Sequence, residues 1–419
     1  MLTLNTTGLM LLFALAAGVL LWRARKQPPD MQLLLLVILA AGSGPLLRFG
    51  QITAARALAL AFIAVRFSQL RGRLSPREFL PTLFGLGYGS AWLLSSGRFS
   101  TPTIAAAVAY VGYGLFGTAV ATLRVDRQMV MDVLTTLAVV AVLAGATLIQ
   151  ESFTQASVVG GQPIIYMEGV ARARGLFGDP NGTAGFVVLG IVALLSFWLF
   201  APASQAALAA VLGGLAFLTW AMQAAASRTA MVGLACGLIP LVLVKRVVSH
   251  SRRWALLAAL GLAVVAGPTL LLRGRPLDLT ADDSARARLM HVGTSLNRFA
   301  GNPLVGTRDE ENPYFSHNAL LEVIAHGGLL GLVPFVVLHA AAASNLWRWR
   351  GDRSFVVIGA AFLAFSGVGM GISWLNNVVY WVLIGLALAW PADPDAALNA
   401  LQPVRRKPFR PAELPRPVA

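Results

Sequence analysis

Charged residues are scarce in this sequence. They make up 12% of its 419 residues, whereas a soluble protein carries about a quarter. Hydrophobic residues reach 57%, and many apolar runs approach the roughly 20 residues that a helix needs to cross a bilayer. This composition excludes a soluble globular protein. Because backbone groups in lipid must be hydrogen-bonded internally, the sequence predicts an all-α, polytopic integral membrane protein.

Several other features are missing. The single cysteine, Cys236, excludes an internal disulfide and is predicted to be a small buried residue. There is no Walker A, GxSxG or HExxH motif and no Cys/His cluster, so the sequence argues against metal-dependent catalysis. We therefore expect no metal and no cofactor. No internal repeat, of the kind common in transporters, is visible.

Thirteen apolar runs are candidate spans. Some of them are short or closely spaced, so we expect about 12 transmembrane helices. The runs are 5–22, 31–47, 51–68, 79–96, 102–122, 130–150, 181–200, 204–223, 228–248, 254–272, 317–343, 354–372 and 376–390. Together they predict a single polytopic membrane domain over residues 1–390, with the first helix retained. Residues 391–419 are basic and proline-rich, which predicts a disordered cytoplasmic tail.

Basic residues set the expected orientation. The net charge of +15 would suggest nucleic acid in a soluble protein. Here the charges lie in loops, so we expect no nucleic acid and instead contact with membrane lipid. Clusters near residues 23–26, 71–77, 124–127, 245–253, 348–353 and 405–416 recur in alternate loops, so all of them can be cytoplasmic together.

Two remaining segments must then face the other compartment, about 151–180 and 274–316. Both carry arginines, and neither has a lysine. Arginine makes bidentate contacts with phosphate oxygens that lysine cannot make. The arginines could instead pair with acids of the same segments. Within the second segment, residues 280–300 predict a short helix with acids in its first turn and arginines later.

Four residues point to chemistry at this surface. His317 begins the run 317–343 on the arginine-rich side and could accept a proton near neutral pH, or simply make a structural hydrogen bond. Arg228 lies between two apolar runs with no acid nearby in sequence, so a substrate phosphate is a plausible partner. Arg174 precedes a predicted helix that begins near Asn181, and a helix N-terminus beside an arginine suits an anion.

Other residues have structural interpretations. Gly328 and Gly331 predict close packing between helices. Arg56 and Arg66 lie inside apolar runs, and we expect both side chains to reach a membrane surface.

Four motifs occur in the order found in the O-antigen ligase and polymerase superfamily, which this chain resembles over roughly residues 130–390. The motifs are Arg174-Gly-x-x-x-Asp-Pro-Asn181, Ser227-Arg228-Thr229, Arg288-Leu with Asn302-Pro-Leu-x-Gly306, and His317-Asn318-x9-Gly328-x-x-Gly331. The last is the most specific. One departure is His291, where the superfamily often has tryptophan, and we assign it no catalytic role.

The resemblance implies an O-antigen ligase-type glycosyltransferase in the bacterial inner membrane, acting on the periplasmic side. We expect the protein to be a monomer. The donor would be a glycan on undecaprenyl diphosphate, and the acceptor a sugar hydroxyl of the lipid A–core. Transfer would be inverting and metal-independent. His317 would be the general base, Arg174 and Arg228 would hold the leaving diphosphate, and Arg288 would be a weaker third contact.

The motif amides Asn181 and Asn318 are expected to contact substrate.

Other interpretations of the function remain open. An O-antigen polymerase would use the same donor but extend another lipid-linked glycan. Members that glycosylate proteins tend to have a larger outer domain than this chain. A transporter or flippase for the same lipid would also need arginines outside, but not a histidine at the surface.

Overall fold

The computed structural model describes residues 6–243, 254, 257, 283–307 and 318–394, apart from gaps at 44–45, 50–51, 71, 97–98, 159–164, 168–169, 201–203 and 371–372. For 48–49, 52, 165–167, 170–171 and 283–288 it describes the backbone alone. The chain is mostly helical, as predicted. The apolar run 254–272 as a span, His317 and the tail from residue 395 lie outside the described residues.

Thirteen helices occur in the described part of the chain. They are α1 (Thr6–Arg23), α2 (Pro29–Gly42), α3 (Ala54–Gln69), α4 (Pro76–Ser95), α5 (Thr101–Ala121), α6 (Arg127–Thr154), α7 (Pro180–Phe200), α8 (Gln205–Ala225), α9 (Arg228–Leu243), α10 (Asp283–Gly301), α11 (Ala319–Arg348), α12 (Arg353–Val368) and α13 (Val378–Leu388). Twelve coincide with predicted apolar runs, and α10 confirms the predicted helix at 280–300.

Six of the described helices are long and apolar enough to cross a membrane: α1, α5, α6, α7, α8 and α11. Helices α2, α9, α12 and α13 are apolar but shorter. Polar residues cap the first turn of many of the described helices, both apolar and less apolar. Ser75 and Glu78 form a capping box on α4, and Asp126 caps α6, which satisfies backbone N–H groups that lipid could not. The total of 12 spans stays a prediction.

Three short strand pairs lie in the described loops. Strands β1 (Arg48–Phe49) and β2 (Ile52–Thr53) are antiparallel, as are β4 (Ile165–Met167) and β5 (Val170–Arg172). Strand β3 (Arg124–Val125) pairs in parallel with β6 (Trp390–Pro391). This last pair corrects the predicted start of the tail, because residues 390–392 are hydrogen-bonded to the α5–α6 loop and Ala392 donates to the carbonyl of Val125.

The described loops that carry basic residues, at 23–28, 72–75, 122–126 and 349–352, gather at one end of the helical bundle, here called the basic end. There Arg66 pairs with Asp30 at 3.1 Å, and Arg77 bonds to Asn345 and stacks on Trp390. The other end, called the opposite end, contains the described residues of 43–53, 96–100, 155–179, 226–227 and 369–377. It also contains the start of α11, because the N–H of Ala319 donates to the carbonyl of Gly369.

Helix α11 is broken at Gly328, where φ is 49° and ψ is −146°. The segment after α10 fills the break. Leu329 and Leu330 donate their N–H groups to the carbonyls of Pro303 and Leu304, at 2.8 and 3.0 Å. These bonds replace helical ones that the break removes. Gly331 packs against Tyr88 of α4, as predicted for a small packing residue, whereas Gly328 instead makes the kink.

Replacing Gly328 with alanine is expected to destabilise the protein by about 2–5 kcal/mol. A Cβ atom there would lie 2.6 Å from the amide nitrogen of Gly306, and the backbone conformation suits glycine alone. Thermal unfolding in detergent measures the effect. The matched control is Gly213→Ala in α8, where a Cβ would meet nothing within 4 Å. Equal melting temperatures for the two variants would contradict this account of the kink.

Candidate functional site

Glu151 holds the segment that carries Arg174. Its carboxylate is fully buried near the end of α6. One oxygen accepts the N–H groups of Arg174 and Gly175, both at 2.7 Å, and the other accepts that of Val158 at 2.8 Å. Three backbone donors therefore satisfy a charge that would otherwise be costly to bury. Sequence reasoning missed Glu151, because nothing near it in sequence indicates these partners.

Replacing Glu151 with glutamine is expected to lower both stability and activity. The glutamine NH₂ group would face a backbone N–H, leaving at least one buried donor unsatisfied at a cost of about 1–3 kcal/mol. The Arg174 segment would then shift, and we expect any activity that needs Arg174 to fall about tenfold or more. Glu78→Gln is the control, because glutamine also serves in a capping box. Equal losses in the two variants would contradict a special role for Glu151.

Asn181 joins the segment that carries Arg174 to the segment that carries Arg228. Its side-chain oxygen accepts hydrogen bonds from Arg172 at 3.1 Å and from the hydroxyl of Ser227 at 2.8 Å. Arg172 also donates to the carbonyl of Ala225 at 3.2 Å. The segment containing Arg174 is thus tied to the turn immediately before Arg228. This gives Asn181 a positioning role, and its predicted contact with substrate stays a prediction.

The same bonds bring two helix N-termini together. Helix α7 begins at Pro180 and α9 begins at Arg228. The side chain of Asp179 accepts the N–H of Gly182 at 2.6 Å in the first turn of α7, and Ser227 accepts that of Ala230 at 3.2 Å in α9. Each N-terminus carries about half a positive charge, which the acidic side chain of Asp179 partly offsets at α7. Together with Arg172, Arg174 and Arg228, all partly buried, they make this surface suited to an anion such as a diphosphate.

Asn318 fixes the start of α11. Its side-chain oxygen accepts the N–H of Leu321 at 3.1 Å, and its NH₂ group donates to the carbonyl of Met370 at 3.1 Å. The residue thus caps one helix and attaches it to the end of α12. His317 directly precedes this cap, outside the described residues. The predicted substrate contacts of Asn318 and Arg288 stay predictions; Arg288 lies on α10, where the structure describes only its backbone.

Residues 373–377 connect these parts of the opposite end. The ring of Trp374 lies 4.4 Å from that of Phe365 in α12 and 6.3 Å from that of Phe186 in α7. Asn377 caps α13 by accepting the N–H of Val379 at 2.9 Å. The segment therefore packs between the start of α7 and the end of α12, beside the residues that hold Asn318. The sequence analysis gave this segment no role, because it lies where the predicted run 354–372 ends and the run 376–390 begins.

Arg56 lies in the first turn of α3, at the opposite end. Its guanidinium donates to the hydroxyl of Tyr113 on α5 at 2.9 Å, and the expectation that it reaches a membrane surface stays a prediction. Among the described residues, no group of three or more His, Cys, Asp or Glu is placed to hold a metal ion.

No protein-family model matches the chain, and no curated protein is significantly similar to it. The function must therefore be argued from the site itself.

Proposed function

We propose that this protein is an inverting, metal-independent glycosyltransferase of the bacterial inner membrane. It moves an O-antigen glycan from undecaprenyl diphosphate to a sugar hydroxyl of the lipid A–core, on the periplasmic side. The observation that carries the proposal is the hydrogen-bonded junction of the Arg174 and Arg228 segments at the opposite end. Two arginines and two helix N-termini there suit a membrane-anchored diphosphate.

The proposed chemistry uses these groups in a single displacement. The acceptor hydroxyl oxygen attacks the anomeric carbon of the donor sugar from the face opposite the diphosphate, and His317 takes the hydroxyl proton. The carbon–oxygen bond to the diphosphate breaks, and the electron pair leaves with the phosphate oxygen. Arg174 and Arg228 stabilise the negative charge that develops there, with Arg288 as a weaker contact. Such preorganised donors are the largest electrostatic contribution expected of a site without a metal.

The side of the membrane follows from charge. The basic end would be cytoplasmic by the positive-inside rule, which puts the opposite end, with Arg174 and Arg228, in the periplasm. Undecaprenyl diphosphate would enter from the outer leaflet with its diphosphate at the junction of α7 and α9. The lipid A–core acceptor would approach at the same surface.

The product of the purified protein tests the proposal. The protein is incubated with a glycan on undecaprenyl diphosphate and with a lipid A–core acceptor, and products are separated by gel. We expect glycan on the core. Growth of the lipid-linked glycan alone would identify a polymerase. If neither product forms, but vesicles containing the protein move the donor between leaflets, the transferase proposal is wrong and a transporter takes its place.

A further inference from the structure

A cavity of about 250 Å³ lies at the opposite end. Arg56, Tyr113, Thr53, Asn376 and Asn377 supply its polar lining, and Phe177 forms part of its wall. Phe177 belongs to the segment between Arg174 and Asn181. Neither Arg174 nor Arg228 is among the described residues that line the cavity. The cavity is therefore a neighbour of the arginine junction but distinct from it.

The electrostatics of this cavity favour an anion. The bond to Tyr113 positions Arg56 in the wall, and a guanidinium carries five N–H donors. Two helix N-termini also meet there, since Thr53 caps α3 and Asn377 caps α13. Their partial positive charges add to that of Arg56. None of the described lining residues is acidic, so an anionic group would find donors and no opposing carboxylate.

We infer that this cavity binds an anionic group, a phosphate or a carboxylate, carried by the acceptor saccharide. The naming of the acceptor rests on the proposed function; the anion site does not. A transferase holds two substrates at one surface, and the donor diphosphate is already assigned to Arg174 and Arg228. The volume lies below the roughly 300–1,000 Å³ of pockets for drug-sized ligands, which suits one sugar unit with its charged substituent.

Binding of inorganic phosphate tests the anion site independently of glycan transfer. The rise in melting temperature with phosphate is measured at constant ionic strength, with chloride as the reference anion. It is measured in a chain carrying Arg174→Gln and Arg228→Gln, so that only the cavity responds, and again in a chain that keeps both arginines. Asn377→Asp is the decisive addition, because aspartate caps a helix as well as asparagine does but repels an anion. We expect phosphate affinity to fall at least about tenfold. Arg56→Gln should act alike, and Arg73→Gln, exposed at the basic end, should change nothing.

Phosphate binding that survives Asn377→Asp and Arg56→Gln, or no stabilisation by phosphate before these changes, would overturn the anion site. The source of the anion is read from kinetics in the otherwise wild-type chain. Asn377→Asp should raise KM for the acceptor about tenfold with KM for the donor unchanged. A rise in donor KM instead would assign the anion to the donor glycan and overturn the acceptor assignment. Loss of phosphate binding in a chain that transfers no glycan would keep the anion site and refute only the proposed function.

Discussion

Replacing Arg228 with glutamine is expected to slow glycan transfer about 100- to 1,000-fold. Removing one preorganised donor to a developing anion typically costs that much. Arg228 is the first residue of α9, and Ser227 beside it is hydrogen-bonded to Asn181 at 2.8 Å, so its backbone is held in place. Arg174→Gln should have a similar effect. The measurement is the single-turnover rate with protein in excess over labelled donor.

Lysine in place of arginine, instead of glutamine, should preserve only part of the transfer rate. Arg228→Lys keeps the positive charge but loses the planar, bidentate contact with phosphate oxygens. The double variant Arg174→Gln with Arg228→Gln should lose less than the product of the single losses, because both residues serve one leaving group. Arg73→Gln controls for charge alone. An unchanged rate in Arg228→Gln would refute the assignment of the diphosphate to this junction.

His317→Ala is expected to have the largest effect on the chemical step. Without a base, the acceptor hydroxyl must lose its proton to water, and general-base catalysis contributes about 100- to 10,000-fold. The wild-type rate should rise with pH as an imidazole loses its proton, since only the neutral ring accepts one. The variant should lose this dependence. The readout is the single-turnover rate across pH.

His291→Ala is the matched control for His317→Ala. His291 lies on α10 and is partly buried, and no catalytic role is assigned to it. We expect it to keep both the rate and the pH dependence. If His291→Ala lost the pH dependence and His317→Ala kept it, the base would have been assigned to the wrong histidine.

Hydrophobicity predicts most of the helices because burying apolar residues and satisfying backbone groups are local demands. Twelve apolar runs coincide with described helices. The kink in α11 was not predictable from Gly328 alone, since the same Gly-x-x-Gly spacing suits close helix packing. What distinguishes close packing from a kink is a partner about 25 residues earlier in the chain. That partner is the backbone of Pro303 and Leu304, which occupies the break.

The candidate site was predictable to a similar extent. Alternation of the helices brings Arg174, Arg228 and the start of α11 to one end, and the structure ties the first two segments together through Asn181. Glu151 was not predictable, because its partners are backbone N–H groups that carry no sequence signal. The contact between Arg56 and Tyr113 was not predictable for a related reason. The two residues are 57 apart in sequence, and neither has a motif around it.

The most direct test of the central claim measures donor binding and transfer together in the presence of a metal chelator. Wild-type protein and His317→Ala are compared with the same undecaprenyl-diphosphate glycan and lipid A–core acceptor. The account predicts that wild type transfers glycan despite the chelator, and that His317→Ala binds the donor as tightly but transfers glycan about 100- to 10,000-fold more slowly. Abolition of transfer by chelator, or full transfer by His317→Ala, would contradict a metal-free displacement with His317 as its base.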